Sequence, residues 1–287
     1  MNTVGASRYA PEWLALRERA DAQARAQQLL EPLRAFLKDT AAPDGTLTVR
    51  DLGCGTGSMG RWLADRLGGP QHWVMYDRDP ALLAEIAGRM PLTAADGTGI
   101  EVVPEEQDIT RLDSDDLAGT SLVAASALLD VLTSEEVDRI AANCTEAGCA
   151  VLLALSVEGR VEIDPSDPLD AEFEAAFNAH QRRLDEGRRL LGPDAVDTAT
   201  AAFESRGAEV ITHSSPWRLG PEDRVLTAEW LQGWVAAACA QEPELEQERE
   251  AYLRRRLDAC HAGELTAVVH HRDLLALPGR PAEGAPA

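Results

Sequence analysis

The chain has 287 residues, 45% of them hydrophobic, and sets 49 acidic against 27 basic side chains for a formal charge of −22. That length allows two domains, or one α/β domain with insertions, and a substantial buried core. The acidic balance and the lack of a dense Lys/Arg run argue against gripping a phosphate backbone, so no nucleic acid is expected as a partner.

Cys54, Cys144, Cys149, Cys239 and Cys260 are odd in number and form no C-x-x-C pair, which points away from a disulfide framework and from a zinc site. No apolar run approaches membrane-spanning length and the N-terminus shows no leader pattern, so a cytoplasmic protein that makes no use of a membrane is expected.

Residues 1–7 are expected to be disordered, and residues 9–37 read as one or two amphipathic helices. Trp13, Leu14, Leu16, Leu29, Leu30, Leu33 and Phe36 supply their apolar positions, with Pro32 as the expected kink or break. A first strand at 46–49 leads into Asp51-Leu52-Gly53-Cys54-Gly55-Thr56-Gly57-Ser58, and helical spacing follows from Trp62 to Leu67. Alternating glycines at a strand-to-helix hand-over mark a turn where backbone approaches a ligand closely. Glycine has no Cβ and accepts positive φ, so N–H groups and the positive end of the next helix can face an electron-rich molecule. The dinucleotide fingerprint Gly-x-Gly-x-x-Gly would need its third glycine at Ser58, whereas here it comes one residue early, at Gly57.

The apolar run at 72–76 stops at Asp77, where a carboxylate at a strand end can accept from two adjacent ribose hydroxyls. Capping the helix that opens at Pro80 is its alternative role. A third strand at 100–104 is followed by Asp108 and Ile109. A fourth at 121–125 runs into Ser126 and Asp130, after which Thr133 and Glu136 have the spacing of a capping box.

Taken in this order over about residues 46–156, Asp51-x-Gly53-x-Gly55-x-Gly57, Asp77 and Asp108 resemble the class I S-adenosylmethionine-dependent methyltransferases. The resemblance implies an α/β fold: a seven-stranded, mostly parallel, doubly wound sheet in the order 3-2-1-4-5-7-6, with the last strand antiparallel. It implies S-adenosyl-L-methionine as cofactor, leaving as S-adenosyl-L-homocysteine. Asp51, Gly53, Cys54, Gly55, Thr56 and Gly57 would cradle it, Asp77 with Arg78 would hold the ribose end, and Asp108 would accept from the adenine amino group with Ile109 against the ring. Ser126 completes the cofactor set, and Arg17 of the helical cover is the candidate for the cofactor carboxylate. Many members carry His or Asn after the fourth strand; this chain has Asp130, which either orients or deprotonates the acceptor or ties down its loop.

The fifth strand is placed at 150–156, the sixth at 208–213 and the seventh at 265–270. The expected organisation is a helical cover over 1–45, a methyltransferase domain over 46–276 with helical insertions at about 157–206 and 218–262, and a flexible tail at 277–287. Within 169–191, His180 shares a helical stripe with Phe173, Phe177 and Leu184, which makes it the second catalytic candidate or a core histidine. Residues 177–182 with 191–194 look like a subgroup of bacterial methyltransferases, which gives Arg182 weak support beside His180. Trp230 and Trp234, at i and i+4, suit a core or a cavity wall. His270-His271 with Asp273 lacks a supporting ligand set, so no metal is expected.

The implied activity is methyl transfer to oxygen, nitrogen or carbon of a small-molecule acceptor. The alternatives are a protein methyltransferase and a catalytically inactive S-adenosylmethionine-binding partner protein. An NAD-dependent dehydrogenase is disfavoured by the early third glycine, and a homodimer is compatible with the sequence.

Overall fold

A computed structural model describes residues 10–40, 42 and 44–279. The disorder expected at 1–7, and the expected tail from 280 onward, lie outside the described residues.

The apolar runs form strands β1 (Leu47–Leu52), β2 (Gln71–Asp77), β3 (Ile100–Glu106), β4 (Leu122–Ser126) and β5 (Ala150–Asp164), all parallel to their neighbours in the order β3-β2-β1-β4-β5. A two-rung hairpin, β6 (Leu184–Asp185) and β7 (Arg188–Arg189), stands apart from this sheet. Strands β8 (Glu209–Ser214), β9 (Trp217–Leu219) and β10 (Thr266–Leu277) complete it, with β10 antiparallel between β5 and β8. The expected order is therefore present, and the short β9 adds an eighth strand against the start of β10.

Helices α1 (Pro11–Ala24), α2 (Leu30–Thr40), α3 (Ser58–Ala64), α4 (Pro80–Ala84), α5 (Ser134–Ala147), α6 (Asp170–Gln181), α7 (Ala195–Glu204), α8 (Arg224–Gln241) and α9 (Glu246–Ala262) surround the sheet. Strand β4 up to Ala125 and the first half of β5 are buried, as strands covered on both faces must be. On one face Leu29, Leu33, Leu63, Trp73 and Met75 form the core; on the other Val123, Val137, Ala141, Val196 and Phe203 do. A third cluster, outside the parallel strands, joins Phe173 of α6 to Trp230, Trp234 and Tyr252 of α8 and α9. There Phe173 stacks on Tyr252 at 4.3 Å and Trp230 on Trp234 at 5.6 Å, so both tryptophans belong to the core.

Three segments depart from the sequence reading. Strand β5 continues eight residues past Ser156 as a ribbon paired with β10, Val161 opposite Val269 and Ile163 opposite Ala267. The insertion expected from 157 therefore begins as strand, consistent with Val157, Val161 and Ile163 recurring at even spacing. The N-terminal helices part at Arg25 and Ala26 rather than at Pro32, because the Ala26 N–H leaves helical bonding to donate to buried Asp273 (2.8 Å). Pro32 sits in the first turn of α2, where no intrahelical donor is required. The long helical stretch near the C-terminus is likewise divided, at Glu242-Pro243.

Asp273 also accepts from Leu155 N–H (2.7 Å) and from the Ser215 hydroxyl, tying three separate segments together. Burial holds its neighbour His271 neutral, with a pKa pushed down to about 3. The His-His-Asp run is thus structural.

Thr133 and Glu136 close a full capping box at the start of α5. Thr133→Ala should cost about 1 kcal/mol in a urea unfolding experiment with little change in slope. No helix among the described residues is long and apolar enough to cross a membrane.

Candidate active site

The turn after β1 is built by local backbone bonds. Cys54 N–H donates to the Tyr76 carbonyl (2.8 Å) and Gly57 N–H to the Cys54 carbonyl (2.9 Å), while φ is +63°, +55° and +87° at Gly53, Gly55 and Gly57. A side chain at Gly53 would stand 3.0 Å from Leu128 Cδ1, and one at Gly55 3.2 Å from Leu14 Cδ1, so the turn lies tight between α1 and the segment after β4. Asp77 fixes the same turn from the end of β2. Its Oδ2 accepts from Gly55 N–H (2.9 Å) and its Oδ1 from Asp79 N–H (3.0 Å), leaving further lone pairs for a ligand.

These elements surround a cavity of about 1030 Å³. Asp51, Gly53, Cys54, Gly55 and Thr56 line it from the turn; Asp77, Arg78, Asp108 and Ile109 line it from the ends of β2 and β3. Ser126 closes the β4 side and Arg17 the α1 side. Gly57 is outside the lining and serves as the left-handed residue that opens α3. Against the cost of burial, the Thr110 hydroxyl and amide and the Arg111 guanidinium hold Asp108 below its ordinary pKa, so it is an anionic acceptor at neutral pH.

Arg17 reaches the cleft already committed. It forms a bidentate pair with Asp21 (2.9 and 3.1 Å) and lies over the Trp217 ring at 4.9 Å. The two candidates for chemistry are not brought to the cavity wall. After β4 the lining is supplied by Ala127, Leu128, Val131 and Leu132, with Asp130 in the same turn but outside it. His180 also lies outside the lining, because α6 packs on α8 and its inward stripe looks into the third cluster. Arg182, beside it, is paired with Asp194 at 2.6 Å.

Sequence reading missed two parts of the site. The β6–β7 hairpin brings Asp185, Glu186 and Arg188 to the cavity, and Arg188 binds Glu136 of α5 (2.6 and 3.0 Å) and the Val131 carbonyl (3.2 Å). Its signal is a two-residue turn, Glu186-Gly187, with both φ values positive. The other part is Arg25, buried where the cover meets the sheet, which donates to Ser58 Oγ and Ser126 Oγ at 3.1 Å each.

A doubly wound sheet in this order, with a glycine-rich turn after its first strand and acids at the ends of the next two, is the Rossmann-like fold of class I methyltransferases. Residues 49–147 match the family model described as a methyltransferase domain. This segment, which runs from β1 to α5 and holds the turn, Asp77 and Asp108, is thus a methyltransferase domain.

Among solved structures, the YcgJ protein of Bacillus subtilis is similar with a TM-score of 0.45 and 11% identity, over 88% of this chain and 100% of that one. The cyclopropane synthase MmaA2 of Mycobacterium tuberculosis gives 0.47 and 14%, over 93% and 94%. The magnesium protoporphyrin IX methyltransferase of Synechocystis, solved with S-adenosylhomocysteine, gives 0.43 and 12%, over 96% and 90%. No protein of curated function matches the sequence.

Proposed function

We propose that this chain binds S-adenosylmethionine in the cleft and transfers its methyl group to oxygen, nitrogen or carbon of a small-molecule acceptor. The observation that carries the reading is the convergence of Asp77, Asp108 and the Gly53–Thr56 backbone on one cavity, in chain order along adjacent strand ends. Asp77 suits the ribose hydroxyls, Asp108 the adenine amino group and Ile109 the ring face. When bound, the cofactor supplies a methyl on a sulfonium, an activated leaving group.

The chain then has to align the acceptor and exclude water, and orientation of reactants supplies about 7–11 kcal/mol in well-ordered systems. Leu14, Leu128, Val131 and Leu132 offer apolar walls for this, and the Arg188–Glu136 pair fixes the hairpin at the cavity edge. Neither Asp130 nor His180 is assigned a proton-accepting role in this reading.

The charge of the lining supports an acceptor that is neutral or cationic. Beyond the two adenosine acids and Arg78, the lining holds the ion pairs Arg17–Asp21 and Arg188–Glu136 and four further acids, Asp51, Asp79, Asp185 and Glu186. A phosphate or carboxylate on the acceptor would meet repulsion there.

Titration calorimetry tests the reading: S-adenosylmethionine and S-adenosylhomocysteine should bind at one site per chain, and NAD should give no saturable heat. Protein that takes up neither adenosyl ligand at millimolar concentration would refute it.

A further inference from the structure

The β6–β7 hairpin has a fixed base and a loosely held tip. Leu190 N–H donates to the Arg183 carbonyl (3.2 Å), Leu191 N–H donates to the Leu132 carbonyl (2.9 Å), and Arg182 pairs with Asp194 through two bonds of 2.6 Å. Gly192 closes this base against α6, where a Cβ would stand 2.8 Å from Gln181 Cβ. Beyond the base, the two rungs that pair Leu184 with Arg189 and Asp185 with Arg188 stand apart from the main sheet.

Packing does little to hold that tip. Leu184 is 61% exposed, and Glu186, Gly187 and Arg189 are exposed as well. Glu186 also takes φ +52°, in the left-handed region that a residue with a side chain occupies at a cost. A two-stranded hairpin with so little apolar burial is marginally stable by itself.

Arg188 ties the tip across to the opposite wall. Its guanidinium binds both carboxylate oxygens of Glu136 and the Val131 carbonyl. Glu136 caps α5 with the same carboxylate, through Thr133 N–H, and Val131 lies in the turn after β4. Against the cost of burial, Arg188 and the Thr133 amide hold Glu136 below its ordinary pKa, so the pair is charged at neutral pH.

Asp185, Glu186 and Arg188 line the cavity, and Glu186 is exposed at the same time, which puts the tip at the cavity rim. A fixed base, a weakly packed tip on the rim and a charged tie to the far wall are the build of a flap.

We propose that the β6–β7 hairpin is a flap over the cavity and that the Arg188–Glu136 pair is its latch. With the pair made, the rim is narrowed; with it broken, the tip swings about its base and lets a ligand in or out. Arg188 is a positioning residue in this scheme, because the same guanidinium holds the Val131 backbone, and Val131 walls the cavity. The flap follows from the hairpin's own contacts, whichever ligand the cavity takes; only the ligand half of the test uses the S-adenosylmethionine reading.

Hydrogen exchange of residues 183–190, followed by mass spectrometry on the ligand-free chain, reads the latch. Glu136→Gln removes the charge and keeps a side chain that can close the capping box. Glu136→Gln and Arg188→Met should each speed exchange there by about 5- to 30-fold, while β4 exchanges at the wild-type rate. Raising salt from about 0.05 M to about 0.5 M should move the wild type in the same direction, and it decides the matter if a variant does not fold. For S-adenosylhomocysteine, association and dissociation rates should both rise by about 3- to 10-fold in the variants with Kd within about threefold, as a gate requires.

Unchanged exchange at 183–190, in folded variants or across the salt range, would overturn the proposal. Exchange that rises equally in β4 would overturn it too, since it marks general destabilisation. A weaker Kd with an unaltered association rate would make Arg188 a ligand contact and overturn the gate. Wild-type protein that takes up no S-adenosylhomocysteine, while its hairpin exchange responds as expected, would overturn the cofactor reading and support the flap.

Discussion

Asp77→Ala should lower the affinity for S-adenosylhomocysteine by about 100- to 1000-fold, the largest effect expected of any single replacement in the cleft. The size follows from two roles carried by one carboxylate. Within the protein it accepts from Gly55 and Asp79 N–H groups, so its removal leaves the glycine turn without its anchor on β2. Toward the ligand, in the proposed reading, it accepts from the ribose hydroxyls. Charge-assisted hydrogen bonds contribute about 1.5–3 kcal/mol each, and the variant loses both kinds together.

Asp77→Asn is the finer measurement. Its amide retains one acceptor oxygen but presents a donor where a second acceptor is needed, so an intermediate loss is expected. Calorimetry on folded protein, with a thermal melt to record the cost to the empty turn, separates the two roles. Affinity within threefold of wild type for Asp77→Ala would remove this residue from the site.

The second large effect is a pH dependence centred on Asp51. Burial pushes its pKa up from 3.8 to about 7; Arg25, the Gly60 amide and Arg61 pull it down, and Asp77 pushes it further up. A carboxyl whose folded pKa lies above its unfolded one contributes stability that is complete below about pH 4 and is lost as pH rises through about 7. A shift of roughly three units corresponds to at most about 4 kcal/mol.

The neutral isostere Asp51→Asn escapes that loss. At pH 8 the empty Asn variant should therefore be the more stable protein, and at pH 4 the difference should vanish. Urea unfolding from pH 4 to pH 8 reads this directly, and parallel curves for the two proteins would reject it.

The glycine turn and the acids after β2 and β3 were legible in the sequence because their signals are local. Gly53, Gly55 and Gly57 take positive φ within one turn, Asp77 ends the apolar run of β2, and Asp108 follows two residues after β3. Sheet order came from the family resemblance, which strand spacing alone would not specify.

Contacts between distant segments were not legible, for a geometric reason. Periodicity tells that His180 lies on the inward stripe of a helix, but not that α6 turns this stripe toward α8. Arg25 is separated from Ser58 by 33 positions and from Ser126 by 101, and Arg188 from Glu136 by 52, so no pattern within a short window joins them. The continuation of β5 was legible in principle: the switch from a solid apolar run to alternation after Ser156 is the mark of a strand leaving a covered sheet for a half-exposed ribbon.

That ribbon has a consequence for how such a chain can change over generations. The Phe173–Trp234–Tyr252 cluster sits beyond the parallel strands, whereas the glycine turn is shaped by β1, β2 and the segment after β4. Mutations that resculpt the outer cluster leave the geometry of that turn intact. An ancestral lineage could thus experiment with α6, α8 and α9 while the glycine turn stayed unaltered.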